Sequence, residues 1–428
     1  MSNIYAAELL KQQDFPDNFK FYFKKTVGSN VVHRADQALE KLVRPRLKIA
    51  IVTETWPPEI NGVAMSLLQL SKGLQASGHK ILLIRPSQLH SCADFKPDRE
   101  CLVKGQSIPK YPGLKFGWPQ FMKLSAELDD FQPDVVHIVT EGPLGLAALQ
   151  AARSRKLPVS SGFHSAFQDF SRFFDLAFFV KPVQRYLRWF HNATHLTCVP
   201  SKDTEEALRE FGVKCPLVVV GRGVDTERFS PAHRSEKIRR QWGATEQTRV
   251  MIYVGRVSPE KEVNVLIDAY NAMKKMGKAD IKLVVVGDGP DKTRLEQIHK
   301  NTDIVFTGSL GGRDLASAYA SADVFVFASQ VETFGNVVLE AMASGLPVVA
   351  YDYACAALHL KHEVSGWLSP IGQASALIQH MYQLPENNVL RQMGAVAREK
   401  TLQAGWNYPV QQFEQALYAV AKETQVTS

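Results

Sequence analysis

Residues 249–256 read RVMIYVGR. A loop, VSPEKEV (257–263), a helical stretch from Asn264 to Lys275 and a second apolar run, IKLVVVGDGP (281–290), follow. Unbroken β-branched runs separated by a helix mark parallel strands buried on both faces, because a strand with one wet face alternates polar and apolar residues. The same grammar occurs once earlier in the chain. LKIAIVTE (47–54) leads into TWPPEINGVA (55–64), a helical pattern from Ser66 to Ala76 and the strand KILLIRPS (80–87). Later pieces correspond in layout as well: PDVVHIVTEGPLG (133–145) with ADVFVFASQVETFG (322–335), and KLPVSSGFH (156–164) with GLPVVAYDY (345–353). The expected fold is α/β, with two Rossmann-like domains facing a central cleft and joined near residues 219–245. The expected divisions are an N-terminal extension (1–46), a first Rossmann-like domain (47–221), a second (222–405) and a C-terminal helix (406–428) returning to the first.

A length of 428 residues suits two domains, and 45% hydrophobic with 22% charged residues is ordinary for a folded chain. That composition excludes disordered, collagenous and disulfide-scaffold classes. The net charge of +7, with a pI near 9.0, favours anionic partners such as nucleotides, phosphates or acidic lipid. Five cysteines without zinc spacing read as free thiols in a reducing compartment. The first 30 residues contain no apolar signal core, and no run of 18 apolar residues occurs. A cytoplasmic location is expected, with peripheral contact to an acidic membrane face as an addition to it. Two aromatic and basic segments bear on that contact. NFKFYFKKT (18–26) reads either as a helical or frayed surface extension or as a membrane- or partner-contact segment. In FSRFFDLAFFVKPVQRYLRWFHN (170–192), Arg185 and Arg188 stand one helical turn apart among aromatics. The second segment reads either as a core helix with a solvated basic face or as an interfacial helix near a lipid.

Ligands of doubly wound sheets bind at the carboxyl ends of the strands, so the strand-end loops decide the chemistry. The strongest signal is ETFGNVVLEAMASGLPVVA (332–350). Glu332 ends a strand-to-loop step, and Thr333, Phe334 and Gly335 make a tight entry into a helix. The amides around Phe334, Gly335 and Asn336 there point along a helix N-terminus, a ready anion site. Glu340 follows Glu332 by eight residues, about two turns on. The second signal is the cation pair Arg256 and Lys261 at the end of 249–256, which suits a diphosphate. His164, directly after LPVSSGF, is a candidate functional residue of the first half. Asp225 in GVD reads as a turn cap.

These strings resemble family-4 retaining glycosyltransferases of the GT-B fold. The match is carried by NGVAMSLLQLSKGLQASGH (61–79), TEGPLGLAALQAARSRKLPVSSGFH (140–164), VGRGVDTERFSP (220–231), YVGRVSPEK (253–261), VVVGDGP (284–290), 320–350 and VSGWLSP (364–370). Together they span about residues 47–425. GFHSAF, FHN and VGRGVDTERFSP are similar to bacterial GDP-mannose-dependent α-mannosyltransferases. The resemblance implies an acceptor domain first and a nucleotide-sugar domain second. It implies that Arg256 and Lys261 hold the donor diphosphate, Glu332 contacts the transferred sugar and Glu340 accepts ribose hydroxyls. Phe334, Gly335 and Asn336 then offer amides to the distal phosphate and sugar, and Leu310 touches the base through its backbone. From the first half, Gly62 lies under the diphosphate and His164 reaches the sugar. The implied catalytic set is His164, Glu332, Arg256 and Lys261. Two positions depart from the family pattern. Ser165 stands where Thr is usual and keeps the hydroxyl. Glu262 stands where Gly is usual and places a carboxylate near the phosphates.

The sequence holds no Asp-x-Asp pair. With two cations and a helix N-terminus available, no metal and no other cofactor is expected. The expected activity is transfer of a sugar, mannose favoured, from a nucleotide-diphosphate donor such as GDP-mannose to an acceptor hydroxyl of a lipid or glycan, forming an α-glycoside. Alternatives are a UDP-sugar-dependent transferase of the same fold, a sugar-nucleotide epimerase and a non-catalytic nucleotide-binding protein. A dinucleotide oxidoreductase is disfavoured because neither half carries G-x-G-x-x-G with its acidic partner. Nucleic acid is not an expected partner.

Overall fold

The computed structural model describes residues 45–59, 61–88, 95–108, 111–164 and 177–426. The aromatic cluster at 18–26, Cys92 and Ser165 lie outside the described residues. Two large sheets, each of parallel strands, organise the rest. The first contains β1 (Lys48–Val52), β2 (Lys80–Pro86), β3 (Arg99–Val103), β6 (Val135–Ile138), β7 (Val159–Gly162), β8 (Leu196–Val199) and β9 (Leu217–Val219). A hairpin of β4 (Gly105–Ile108) and β5 (Tyr111–Gly117) lies outside that sheet. The second contains β10 (Arg249–Val254), β11 (Ile281–Val286), β12 (Val305–Gly308), β13 (Val324–Phe327), β14 (Val348–Tyr351) and β15 (Gly366–Ser369).

The strand orders are β3-β2-β1-β6-β7-β8-β9 and β12-β11-β10-β13-β14-β15. Both run outward from a middle strand and then reverse. Ile49 of β1 pairs with Ile81 on one side and Val135 on the other, and Met251 of β10 pairs with Leu283 and Val324 in the same way. The reversals lie between β1 and β6 and between β10 and β13. Those are the places where a doubly wound sheet opens a crevice. Val250, Met251, Ile252 and Tyr253 are wholly buried, which explains why this strand shows no alternation. Each such side chain contributes about 1.5–3 kcal/mol by leaving water.

The helix after β1, Gly62–Ala76, starts four residues before the apolar periodicity that marks its body. Asn61 makes the difference: its Oδ1 accepts the Ala64 amide at 2.8 Å, satisfying one of the orphan donors of the first turn. The last helix, Asn407–Val426, packs on Gly62–Ala76. A Cβ at Gly73 would lie 2.3 Å from Val410 Cγ2, so glycine lets the two backbones close up. His79 Nε2 meets Glu414 Oε1 at 2.8 Å, and the Phe413 ring stands edge-on to His137 with centroids 4.7 Å apart. The chain leaves the first sheet through Val220–Val224 and comes back through Ala404–Trp406, where the Val224 amide donates to Ala404 O at 2.9 Å. Gly223 sits at this double crossing, where a Cβ would come within 2.7 Å of the Trp406 nitrogen.

The described cysteines, Cys101, Cys198, Cys215 and Cys355, are buried free thiols, as the spacing argued. No helix of the described residues is long and apolar enough to cross a membrane.

Candidate active site

The loops after β10 and β13, at the reversal of the second sheet, bring the sequence candidates together. Lys261 closes the short 3-10 turn Pro259–Lys261. Its ammonium donates to Glu332 Oε1 at 2.7 Å and to Val331 O at 2.7 Å. Lys261 and Glu332, 71 residues apart in the chain, thus share one spot with both side chains mostly buried. Arg256 is exposed and its guanidinium rests on the Glu260 carboxylate, which also accepts the Ser258 hydroxyl at 2.6 Å. Tyr253 OH holds the Arg256 carbonyl at 2.9 Å and so fixes the turn from which the arginine projects.

Gly335 precedes the helix Asn336–Ala343 with φ 90° and ψ 53°, a left-handed conformation that favours glycine. The Phe334 ring is buried and lies edge-on to His359. Glu340 accepts from Tyr319 OH at 3.1 Å, and burial pushes its carboxyl up to about 6 despite that bond and the nearby Arg228 charge. Leu310 packs at the edge of the second core, in the loop after β12.

The first sheet meets this loop directly. Thr333 Oγ1 donates to the His164 carbonyl at 3.0 Å, and Asn336 Nδ2 donates to Ser66 Oγ at 3.2 Å. Gly62 begins the facing helix, where a Cβ would stand in ordinary van der Waals contact with Asn336 Nδ2, 3.7 Å away. His164 follows β7. Its ring lines a small pocket with His137, Val63, Leu67 and Phe413, and Arg222 Nη2 stands 2.9 Å from its Nδ1. Burial, then the Arg222 charge, then His137 and His191 hold the His164 imidazole well below the usual histidine range.

Glu262 stands where the family usually has glycine. It adopts φ 49° and ψ 38° at the start of the helix Val263–Lys275, which is the conformation a glycine would take more easily. Its Oε1 accepts from Gln330 Nε2 at 2.8 Å, so the carboxylate is engaged by the β13 loop. Asp225 caps its turn as expected, accepting the Glu227 and Arg228 amides at 3.2 and 3.0 Å. Two acidic side chains were not singled out in the sequence. Glu54, after β1, accepts the Leu144 amide at 2.9 Å and is pushed up to about 7 by burial. Glu141, after β6, lies 3.2 Å from His191 Nε2. Both sit at the reversal of the first sheet, but nothing in their spacing separates them from solvated loop carboxylates. Among the described residues no group of His, Cys, Asp or Glu side chains is arranged to hold a metal ion.

A cation, a carboxylate and a helix N-terminus gather at one sheet's switch point and touch the strand-end loops of a second such sheet, the arrangement of the GT-B fold. The model described as Glycosyltransferase Family 4 matches residues 60–228, and that described as Glycosyl transferases group 1 matches residues 234–400. A GDP-mannose-dependent alpha-mannosyltransferase of Mycobacterium tuberculosis is 35% identical over 337 residues, 76% of this chain and 85% of the relative. An alpha-monoglucosyldiacylglycerol synthase of Streptococcus pneumoniae is 28% identical over 321 residues, 71% of each chain. The crystal structure of Anabaena HepE in complex with UDP and glucose aligns with TM-score 0.70 and 20% identity, covering 87% of this chain and 100% of that one. The chain belongs to glycosyltransferase family 4 and is a glycosyltransferase.

Proposed function

We propose that the protein transfers mannose from GDP-mannose to a hydroxyl of a lipid or glycan acceptor, with retention at the anomeric carbon and without a metal ion. The observation that carries this reading is the meeting of Lys261, Glu332 and the Gly335–Asn336 helix start with His164 and Gly62 of the facing domain. The GDP-mannose-dependent relative supports the donor.

In this reading the distal phosphate takes the place at Lys261 that Glu332 holds in the structure. Arg256 swings from Glu260 to the diphosphate, and the amides at the helix start complete the charge compensation. A charge-assisted contact to developing phosphate charge in a dry cleft is worth roughly 3–4 kcal/mol. The C1–phosphate oxygen bond breaks as the acceptor oxygen approaches the same face of the sugar. The new C1–oxygen bond forms there, and the acceptor proton passes to the departing phosphate oxygen. Glu332, freed from its lysine, binds sugar hydroxyls. Leu310 and Glu340 take the base and ribose.

The acceptor enters from the first domain. On the helix Ala177–Asn192, Leu187 and Phe190 are buried while Arg185, Arg188 and Trp189 face solvent. This basic, aromatic face supports a lipid acceptor and peripheral contact with an acidic membrane.

The test is a donor screen. GDP should raise the thermal midpoint more than UDP or ADP, and GDP-mannose should be the sugar nucleotide hydrolysed, with EDTA leaving the rate unchanged. Preference for UDP and a UDP-sugar would overturn the donor. Activity lost to EDTA and restored by Mg²⁺ or Mn²⁺ would overturn the metal-free step. The one-bond carbon–proton coupling at the product's anomeric centre reads the stereochemistry directly.

A further inference from the structure

The segment Gly221-Arg222-Gly223 lies where the chain crosses between the two sheets. Arg222 is only 8% exposed, yet among the described residues no carboxylate pairs with it. Its Nη1 donates to the carbonyls of Val220 and Gly221 at 3.2 and 3.3 Å, and its Nη2 reaches His164 Nδ1 at 2.9 Å. A buried guanidinium without a counter-ion is costly to maintain. Burial alone draws its pKa down to about 10, which still leaves it fully charged at neutral pH.

A guanidinium has five N–H donors and no acceptor. For Arg222 to bond His164 Nδ1, that nitrogen must present its lone pair. The ring proton then resides on Nε2. The other charged or titratable groups facing the ring do not oppose this state. His137 comes from β6, where burial pushes it down to about 3, and His191 comes from the helix Ala177–Asn192. Both act with Arg222 to disfavour a second proton on His164. Room for the ring is made by Gly162, where a Cβ would lie 2.5 Å from His164 Nε2.

We propose that Arg222 is a positioning residue that locks His164 as the neutral Nε2–H tautomer, so that its Nδ1 lone pair is occupied and the ring cannot act as a base. The inference rests on the sugar-facing role of His164 given above and deepens it. An inverting transfer needs a general base opposite the leaving group, and this lock removes the histidine from that role. It also ties the state of His164 to the inter-sheet crossing. A shift of Val220–Val224 moves the guanidinium that holds the ring.

The test is long-range proton–nitrogen NMR of the full chain with ¹⁵N-labelled histidine, the His164 signals being assigned by their loss in His164→Gln. In the wild-type chain His164 should show the Nε2–H tautomer and no titration between pH 5.5 and 8.5. In Arg222→Met the tautomers should mix, while burial, the larger cause, still holds the ring neutral. Turnover should fall about 10–100-fold. Arg222→Lys, which keeps a charge but loses the planar fork, should restore only part of the tautomer bias. An Nδ1–H tautomer in the wild-type chain, or titration there with an ordinary midpoint, would overturn the proposal even if every variant failed to fold. So would an unchanged His164 spectrum in folded Arg222→Met. The proposed retention is read separately. A β-linked product alongside an intact Nε2–H tautomer would sink retention and leave the Arg222 lock standing.

Discussion

Glu340 is the residue whose environment makes the sharpest statement about pH. Its carboxyl is raised to about 6 because burial penalises the charged form more than Tyr319 OH and Arg228 favour it. As an ionised group it can accept two ribose hydroxyls; once protonated it loses acceptor capacity. Nucleotide affinity should therefore fall as pH drops through 6. Calorimetric titration of GDP from pH 5 to 8 should show this. Glu340→Gln should bind about tenfold more weakly and without that pH dependence, in line with about 1.5–3 kcal/mol for a hydrogen bond to a charged group. A wild-type affinity flat across this range would remove Glu340 from the ribose. Arg256 provides the second test. Arg256→Ala should lower turnover by about 10²–10³ with the unfolding midpoint unchanged, because the side chain is exposed and pairs only locally with Glu260. Turnover within a few-fold of normal would refute its phosphate role. At this scale the sequence was legible where a motif tied residue type to backbone shape, as at Gly335. It was not legible at Glu262 or Arg222. At Glu262 neither the left-handed backbone nor the bond from Gln330 could be read from the sequence. Arg222 stood inside a recognised string, but nothing local distinguishes an arginine that will be buried from one that will be solvated.

At the scale of elements, the strands announced themselves through uninterrupted apolar runs, and their parallel direction followed from the βαβ rule. The helix starts were less visible, because a cap such as Asn61 lies outside the apolar periodicity. Nor did sequence alone show that Gly73 is a contact between helices. Gly73→Ala should be damaging although alanine is the better helix former, since the Val410 methyl groups stand 2.3 and 2.7 Å from the new Cβ and valine has one preferred rotamer in a helix. The overpacking should cost about 1–3 kcal/mol, read as a lowered unfolding midpoint. Adding Val410→Ala should recover part of the loss, because it removes the opposing methyls. A single variant as stable as the wild type, or a double variant no better than the single, would show that the two helices do not pack as described.

For the whole molecule, His137 links stability to pH. It is wholly enclosed between the first sheet and the returning helix, with Nδ1 3.0 Å from Ser160 Oγ and Phe413 across its ring. Burial lowers its pKa to about 3, against about 6.5 in the unfolded chain. The unfolded state therefore binds a proton below pH 6.5 that the native state refuses. This group's contribution is fully present above pH 6.5 and is lost as pH falls, by about 1.4 kcal/mol per unit. Glu54 and Glu340, raised to about 7 and about 6, act in the opposite sense between pH 4.5 and 7, because the native state holds their protons more tightly. The histidine is isolated by substitution. His137→Gln should be less stable at pH 8 yet lose less of its midpoint between pH 6.5 and 5 than the wild type. Parallel midpoint curves would show that His137 does not titrate on unfolding.

The sequence by itself determined the two-fold repeat of βαβ units, the strand-end loops that hold most of the candidate residues, and the family. Each of these depends on local periodicity or on residues adjacent in the chain. Only the tertiary structure decided which of those residues meet. Lys261 reaches Glu332 across 71 residues, Thr333 reaches His164 across 169, and Arg222 reaches His164 across 58. The reason is that a contact between strand-end loops is set by strand order and by the packing of one domain on the other. Strand order places β10 beside β13 and β1 beside β6, and the apolar runs that specify each strand are too alike to encode it.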